Sequence, residues 1–323
     1  MFIAISGDDS ISDASPIEIR GLSKVFGSFV AVDDLDLSIK KNSFTGFLGP
    51  NGAGKSTTLK ILTNLSKATS GEVFLNGINV AENPKEALHG VGTVVETPEF
   101  YDYLTPIETF RYIGEVIGMS PEAIKAQTVE ILDKMKMTEW GDKRIGTFSK
   151  GMRQRIALGQ ALLNDPEIII LDEPTSGLDP RGTAEMRQIL STLRAGKENL
   201  TILMSSHMLH EVSDLCDRVA MINHGKLLVH DDMDKVIFDD GVRKIVVKTH
   251  GDRAEAVKRI GATAHVLSVN ALDNEIRVEL QGDRVTQAEF MKTLANMDIG
   301  IYSVSQSTNT LEQKYLEMIK ESR

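Results

Sequence analysis

Nine consecutive residues, GPNGAGKST at 49–57, constrain the fold of this chain more than any other feature. They match the pattern G-x-x-x-x-G-K-[ST], in which glycines let backbone N–H groups close around phosphate oxygens. The run before them, SFTGFLG, predicts a short strand, and KSTTLKILTNL places Leu59, Leu62 and Leu65 at helical spacing. Strand, glycine-rich loop and helix in this order predict a nucleoside triphosphate at the start of the helix.

This phosphate loop supplies most of the predicted nucleotide ligands. We expect Lys55 to reach the β- and γ-phosphates and the hydroxyl of Ser56 to bind Mg²⁺. A glycine-rich turn with an accidental lysine is the alternative, and the strand and helix around the loop argue against it. The predicted ligands from this loop are Gly49, Pro50, Asn51, Gly52, Ala53, Gly54, Lys55, Ser56 and Thr57.

A second apolar run, EIIILDEP, ends in two acids. A buried strand of this kind brings Asp172 and Glu173 to its carboxyl end, where open α/β sheets bind ligands. Asp172 is expected to hold Mg²⁺, directly or through water, and Glu173 to accept a proton from the attacking water or to orient it. The alternative is that the two acids only cap the strand. The presence of the phosphate loop argues against this alternative.

A third apolar run, LTILMSSH, ends in a histidine. His207 is therefore predicted to lie beside the same phosphates, hydrogen-bond the γ-phosphate and respond to its loss. The other six histidines have no such context, and we interpret them as surface or packing residues. They are His89, His210, His224, His230, His250 and His265.

Four motifs in order, GPNGAGKST, FSKGMRQR, LDEPTSGLDP and MSSH, resemble the nucleotide-binding subunit of ABC transporters over roughly residues 16–235. The resemblance implies an ATPase that uses ATP and Mg²⁺. A single cassette with an added C-terminal domain resembles the exporter group, whose membrane half is a separate chain. We expect such an exporter subunit, for drug, peptide or ion efflux. An importer subunit and a non-transport ABC ATPase are the alternatives.

The resemblance also implies a partner. FSKGM takes the place of the family's signature L-S-G-G-Q, and Ser149 and Gly151 match it, so they are expected to contact ATP held by a second copy or a homologous cassette. Asp179 in SGLD is expected to reach toward that partner. Lys150 either strengthens the phosphate contact or points to solvent, the orientation we favour. The positions that depart from the signature are Phe148, Lys150 and Met152.

Two further ligands follow from the resemblance. Phe26 stands where the family stacks an aromatic ring on adenine, although a core phenylalanine at a strand end is the alternative. Glu96 stands where the family has glutamine. It keeps an oxygen ligand for Mg²⁺ but adds negative charge near the γ-phosphate.

An aromatic cluster, Phe100, Tyr101 and Tyr103, follows Glu96. We favour the core of the helical insertion as its location. The alternative is an apolar rim where a helix of the transmembrane permease subunit docks.

The predicted fold class is α/β. Residues 1–15 are expected to be a flexible lead-in. Residues 16–235 are predicted to form a P-loop ABC ATPase cassette with a RecA-like core, an antiparallel β subdomain and a helical insertion at about 98–150. Residues 242–323 are predicted to form an α+β accessory domain of ferredoxin-like order, closed by a helix over TLEQKYLEMIKES.

Charge and hydropathy limit the location and partners. A net charge of −10 argues against a nucleic-acid partner. No apolar run reaches the ~18–20 residues of a membrane span, and the N-terminus lacks the basic region of a secretory signal. We therefore expect a cytoplasmic protein, peripheral on the inner face of the cell membrane through its permease. The single cysteine, Cys216, is expected to be a small apolar residue on a helix.

Overall fold

The computed structural model describes residues 15–196, 199–237, 241–272, 275–306 and 314–315. The chain forms two compact units that divide between His230 and Asp231. Nearly all of the predicted lead-in lies outside the described residues. So does most of the predicted last helix, although residues 314 and 315 are helical.

The first unit has two sheets. The described strands, in chain order, are β1 (Ile17–Phe26), β2 (Phe29–Ile39), β3 (Phe44–Leu48), β4 (Ser70–Leu75), β5 (Ile78–Asn79), β6 (Val91–Val94), β7 (Ile168–Asp172), β8 (Thr201–Ser206), β9 (Arg218–Asn223) and β10 (Lys226–Asp232). The helices are α1 (Lys55–Leu62), α2 (Pro84–Ala87), α3 (Pro106–Val116), α4 (Pro121–Lys134), α5 (Lys150–Ala161), α6 (Pro180–Gly196) and α7 (Leu209–Leu215).

The larger sheet has the order β10-β9-β3-β8-β7-β6, and its five strands from β9 to β6 are parallel. Parallel strands are covered on both faces and therefore contain continuous apolar runs. Ile168–Leu171 in β7 are fully buried in agreement with this rule. Because β3, β7 and β8 run in the same direction and are neighbours, the phosphate loop, Glu173 and His207 all emerge at one edge of the sheet.

The smaller sheet is antiparallel, with the order β2-β1-β4-β5. Alternate residues of its strands are buried in a hydrophobic core. The same core contains the buried side chains of the helix after the phosphate loop. That helix, α1, ends at Leu62, and Leu65 is exposed. The expected helical position of Leu65 is therefore wrong, because the chain leaves the helix at Thr63 and turns through Asn64, whose φ is +56°.

Local capping explains where the two helices that follow the aromatic cluster begin. Thr105 and Glu108 form a capping box at the start of α3. Ser120 caps α4 by accepting a hydrogen bond from Ala123, and Pro121 occupies its first turn, as the sequence predicts.

The second unit contains α8 (Met233–Ile237), β11 (Val242–Thr249), α9 (Arg253–Gly261), β12 (Val266–Leu272), β13 (Glu275–Gln281), α10 (Arg284–Ala295) and β14 (Ile301–Gln306). Its sheet has the order β12-β13-β11-β14, and every pair is antiparallel. Buried residues from the sheet, α9 and α10 form a core of their own. The β-α-β-β-α-β order matches the ferredoxin-like pattern expected from the sequence.

Candidate nucleotide site

The phosphate loop closes around the ammonium of Lys55. Gly54 caps α1 with φ +106°, a conformation that favours glycine, and a side chain there would overlap the carbonyl oxygen of Ala31. Lys55 begins the helix and is 4% exposed. Its Nζ donates to the carbonyl oxygens of Gly49 at 2.8 Å and Pro50 at 3.2 Å. The lysine is thus held at the positive end of α1, where a phosphate binds favourably.

The acids at the end of β7 lie beside this lysine. The Nζ of Lys55 is 3.6 Å from Oε1 of Glu173, and Nδ1 of His207 is 3.1 Å from the same oxygen. Burial lowers the pKa of Lys55, and the negative charges of Glu173 and Asp172 oppose that shift. The structure therefore brings together four residues from three separate sequence motifs. They are Lys55, Asp172, Glu173 and His207.

Ser205, a buried residue of β8, was missed by the sequence interpretation. Its Oγ donates to Oδ1 of Asp172 at 2.5 Å and accepts the N–H of Glu173 at 2.9 Å. Glu173 has φ +44°, so its backbone turns sharply just after the strand. A hydroxyl residue inside an apolar run, two positions before His207, was the available signal.

The donors at this site suit Mg²⁺. Ser56 is exposed at the start of α1, and the bond from Ser205 engages only one carboxylate oxygen of Asp172. No group of three acidic, histidine or cysteine side chains is placed to hold a metal within the part of the chain that the structure describes. Mg²⁺ usually takes one or two protein oxygens together with phosphate oxygens, so this small set of donors fits it.

Glu96 lies near the same helix. Its backbone has φ +71°, and its exposed carboxylate pairs with Lys60, one helical turn after Ser56. The predicted contact between Glu96 and Mg²⁺ stays a prediction.

The signature turn forms a separate cluster. Ser149 is the N-cap of α5, and its Oγ accepts the N–H of Met152 at 3.3 Å. The helix begins at Lys150. A side chain added at Gly151 would meet nothing closer than 3.7 Å. No hydrogen bond or ion pair among the described residues connects Ser149 or Gly151 with Lys55, Asp172 or Glu173.

The loop after Glu173 lies beside the signature turn. The carbonyl oxygen of Glu173 accepts the N–H of Ser176 at 2.9 Å. Asp179 accepts the N–H of Gly182 at 2.7 Å, so its side chain supports the start of α6. Lys150 is exposed, but its Nζ lies over Gly177, in the space that a side chain at Gly177 would fill.

Exposure decides between the alternatives for the aromatic residues. Phe26 is 52% exposed, which excludes the core alternative, and the ammonium of Lys24 lies 4.7 Å from its ring centroid.

Tyr101 and Tyr103 are 54% and 66% exposed, so the favoured core location is wrong for them. Their rings lie 5.6 Å apart, and Tyr112 packs edge-on against Tyr101.

Cys216 is buried at the end of α7. Burial raises the pKa of its thiol well above the usual range. It therefore packs as a small apolar residue, as expected.

Within the described residues, the structure contains no helix both long and apolar enough to cross a bilayer.

A phosphate loop on a parallel sheet, with two acids and a histidine at the same edge, defines a P-loop nucleoside triphosphatase. The ABC transporter family model matches residues 32–176. The bacitracin transport ATP-binding protein of Bacillus licheniformis is 35% identical over 303 residues, which cover 94% of this chain and 97% of that protein. A lantibiotic transport ATP-binding protein of Streptococcus pyogenes is 34% identical over 218 residues, which cover 68% of this chain and 91% of that protein.

Solved structures of ATP-binding cassettes indicate the same family. A dimeric ATP-binding cassette in a post-hydrolysis state, bound to ADP and Pi, matches with a TM-score of 0.60 and 25% identity, over 67% of this chain and 98% of that one. The chain belongs to the ABC transporter family. It is an ATP-binding and ATP-hydrolysing subunit that drives an exporter, which confirms the predicted class.

Proposed function

We propose that two copies of this chain, or one copy and a homologous cassette, close head to tail over two ATP molecules and drive export through a separate transmembrane subunit. The supporting observation is the separation within one chain of the Lys55 cluster from the signature turn. Each cluster has donors suited to phosphate. The dimeric state named for the solved relative is consistent with this arrangement.

Within each site the residues have distinct roles. Lys55 and the N–H groups at the start of α1 bind the phosphates, while Glu173 orients the attacking water or accepts its proton. His207 holds the carboxylate of Glu173 through Nδ1 and leaves Nε2 available for the γ-phosphate. Ser205 orients both acids.

A divalent cation completes this set. Ser56 and Asp172 would hold Mg²⁺, with Glu96 as the further oxygen donor that we propose. The ion would supply positive charge that neutralises the phosphate oxygens.

The contact with the membrane subunit involves the exposed tyrosines. Tyr101, Tyr103 and Tyr112 form an apolar surface of three rings with polar tips, which suits the burial of a short helix at an interface. This contact would keep the ATPase on the cytoplasmic face of the membrane.

The dimer is tested with Glu173→Gln, which retains ATP by slowing hydrolysis. We expect this variant to be monomeric alone and dimeric with ATP and Mg²⁺ in size-exclusion chromatography. Adding Ser149→Arg places a bulky side chain at the proposed contact and should abolish the dimer, with ATP binding by the monomer nearly unchanged. A double variant that still dimerises with ATP would contradict the head-to-tail arrangement. Loss of ATP binding by the Ser149→Arg monomer would also contradict it, because the turn would then serve its own nucleotide.

A further inference from the structure

The exposed ring of Phe26 carries a cation on one face. The Nζ of Lys24 lies 4.7 Å from the ring centroid, inside the roughly 6 Å range of a cation–π contact. Lys24 is half-buried, and no carboxylate among the described residues lies within ion-pair distance of its ammonium. Because half of Phe26 is still exposed, a flat ligand can reach the ring from the side that the ammonium does not cover.

The ammonium of Lys24 is held in place by the loop that follows α1. Its Nζ donates to the carbonyl oxygen of Lys67 at 2.7 Å. The N–H of Val25 donates to Oγ1 of Thr69 at 3.0 Å, and the N–H of Thr69 donates to the carbonyl oxygen of Ser23 at 2.9 Å. Three hydrogen bonds therefore tie the end of β1, and with it the ring, to this one loop.

The same loop is tied to the helix that starts at the phosphate site. The N–H groups of Leu65 and Ser66 both donate to the carbonyl oxygen of Lys60, at 2.8 and 3.0 Å. Lys60 belongs to α1, which begins with Lys55. The helix that presents Lys55 to a phosphate therefore also supports the loop that anchors Lys24.

A cation on one face of an aromatic ring changes what the other face binds. The faces of aromatic rings are partly negative, so two stacked faces repel each other in part. An ammonium attracts the ring electrons of Phe26 toward itself, which makes the opposite face less negative. That face then stacks better with an electron-rich base such as adenine. A ring that is already held also loses less side-chain freedom when the base binds.

We propose that Lys24 is a positioning residue for adenine, which holds the ring of Phe26 from one side and leaves the other side to the base. This inference deepens the nucleotide site of the proposed function and rests on the predicted stacking of adenine on Phe26. It does not require the head-to-tail dimer. Lys24 itself touches neither the base nor the phosphates and acts through the ring.

The test measures the binding of ADP and of pyrophosphate to the full chain by calorimetry. ADP contains the base but no γ-phosphate to hydrolyse, and pyrophosphate lacks the base. Lys24→Met keeps most of the stem and removes the charge, so the dissociation constant for ADP should rise roughly 2–5-fold. The dissociation constant for pyrophosphate should stay nearly unchanged, because Lys55 and the phosphate loop are untouched.

Two further variants control for charge and for the loop. Lys24→Arg should restore ADP binding, since a guanidinium also stacks on aromatic faces. Lys67→Met removes an exposed charge from the same loop but keeps the carbonyl oxygen that Lys24 uses, so it should leave ADP binding unchanged. In a Phe26→Ala background, Lys24→Met should have no further effect on ADP binding.

Four outcomes would overturn the role of Lys24. ADP affinity equal to that of the parent would show that the ammonium does not assist the ring, and tighter binding would show that it covers the face that the base needs. An equal loss for ADP and pyrophosphate would assign the lysine to the phosphates. A loss that persists in the Phe26→Ala background would assign it to the loop alone.

The site and the dimer are separated by the choice of ligand. If Phe26→Ala leaves the dissociation constant for ADP unchanged, the predicted stacking is wrong and this inference is rejected with it. The proposed dimer would be unaffected by that result, because its test is ATP-dependent association in size-exclusion chromatography.

Discussion

The Nδ1 of His207 lies 3.1 Å from Oε1 of Glu173, the same oxygen that faces Nζ of Lys55 at 3.6 Å. One carboxylate oxygen therefore lies between two nitrogen groups, one at the start of α1 and the other directly after β8. This arrangement orients Glu173 even though its backbone turns away from β7 at φ +44°. It also places the second ring nitrogen of His207 outside the pair, free to meet a phosphate oxygen.

Replacing the proposed base should separate ATP binding from hydrolysis. In Glu173→Gln the amide cannot accept the proton of the attacking water, so we expect turnover to fall roughly 10²–10⁴-fold. The dissociation constant for ATP should change little, because Lys55 and the phosphate loop are untouched. Steady-state phosphate release and equilibrium nucleotide binding measure the two quantities. Turnover equal to that of the parent would remove Glu173 from the role of base.

Ser205 should matter for both catalysis and stability. Ser205→Ala leaves the partly buried N–H of Glu173 without its partner, which costs about 1 kcal/mol in the free energy of unfolding. The acids also lose their alignment, so we expect turnover to fall roughly tenfold. Ser206→Ala is the control, since Ser206 is buried but bonds to Glu211 instead. Equal loss of turnover in the two variants, measured where both are folded, would show that Ser205 acts through stability alone.

Glu96 should affect the metal more than the nucleotide. Glu96→Gln removes the negative charge that pairs with Lys60, one helical turn after Ser56, so the Mg²⁺ concentration at half-maximal ATPase activity should rise. ATP affinity should stay nearly constant, because adenine and phosphate-loop contacts remain. Glu99→Gln, at an exposed site three residues later, is the control. A Mg²⁺ midpoint that does not move would place Glu96 away from the metal.

Phe26 should contribute to binding of the base. Stacking is worth about 0.5–1.5 kcal/mol, so Phe26→Ala should raise the dissociation constant for ATP roughly 2–10-fold, and Phe26→Trp should retain affinity. Phe29, which pairs with Phe26 across the β1–β2 hairpin and is also exposed, provides the control Phe29→Ala. If only Phe29→Ala weakens ATP binding in a fluorescence titration, the adenine lies against the other ring.

The first unit should bind ATP without the sheet of the second unit and its two helices α9 and α10. A chain ending after Ile237 keeps all of β10, and both units have cores of their own. We expect this truncation to remain folded and to bind ATP with an affinity near that of the full chain, as measured by calorimetry. A folded truncation that does not bind ATP would show that the second unit completes the site.

The parts of the site that could be predicted from the sequence are those set by short-range geometry. The loop at 49–57 needs glycines where the backbone approaches phosphate, and Asp172 and Glu173 directly follow a strand of continuous apolar residues. Their meeting follows from a general rule, since parallel neighbouring strands end at one edge of a sheet. Motif spacing and this rule were thus sufficient to predict that Lys55 and Glu173 lie together.

The remaining features depend on neighbours that are distant in sequence. Ser205 bonds to acids about thirty residues away because β7 and β8 pair in one register, Asp172 opposite Ser205. The exposure of Tyr101 and the place of Lys150 over Gly177 follow from how the loops after β6 and β7 pack. Apolar character predicts burial only on average, since a folded chain cannot cover all of its apolar side chains. The sequence by itself determined the phosphate chemistry, and only tertiary packing decided which side chains support the acids and which face a partner.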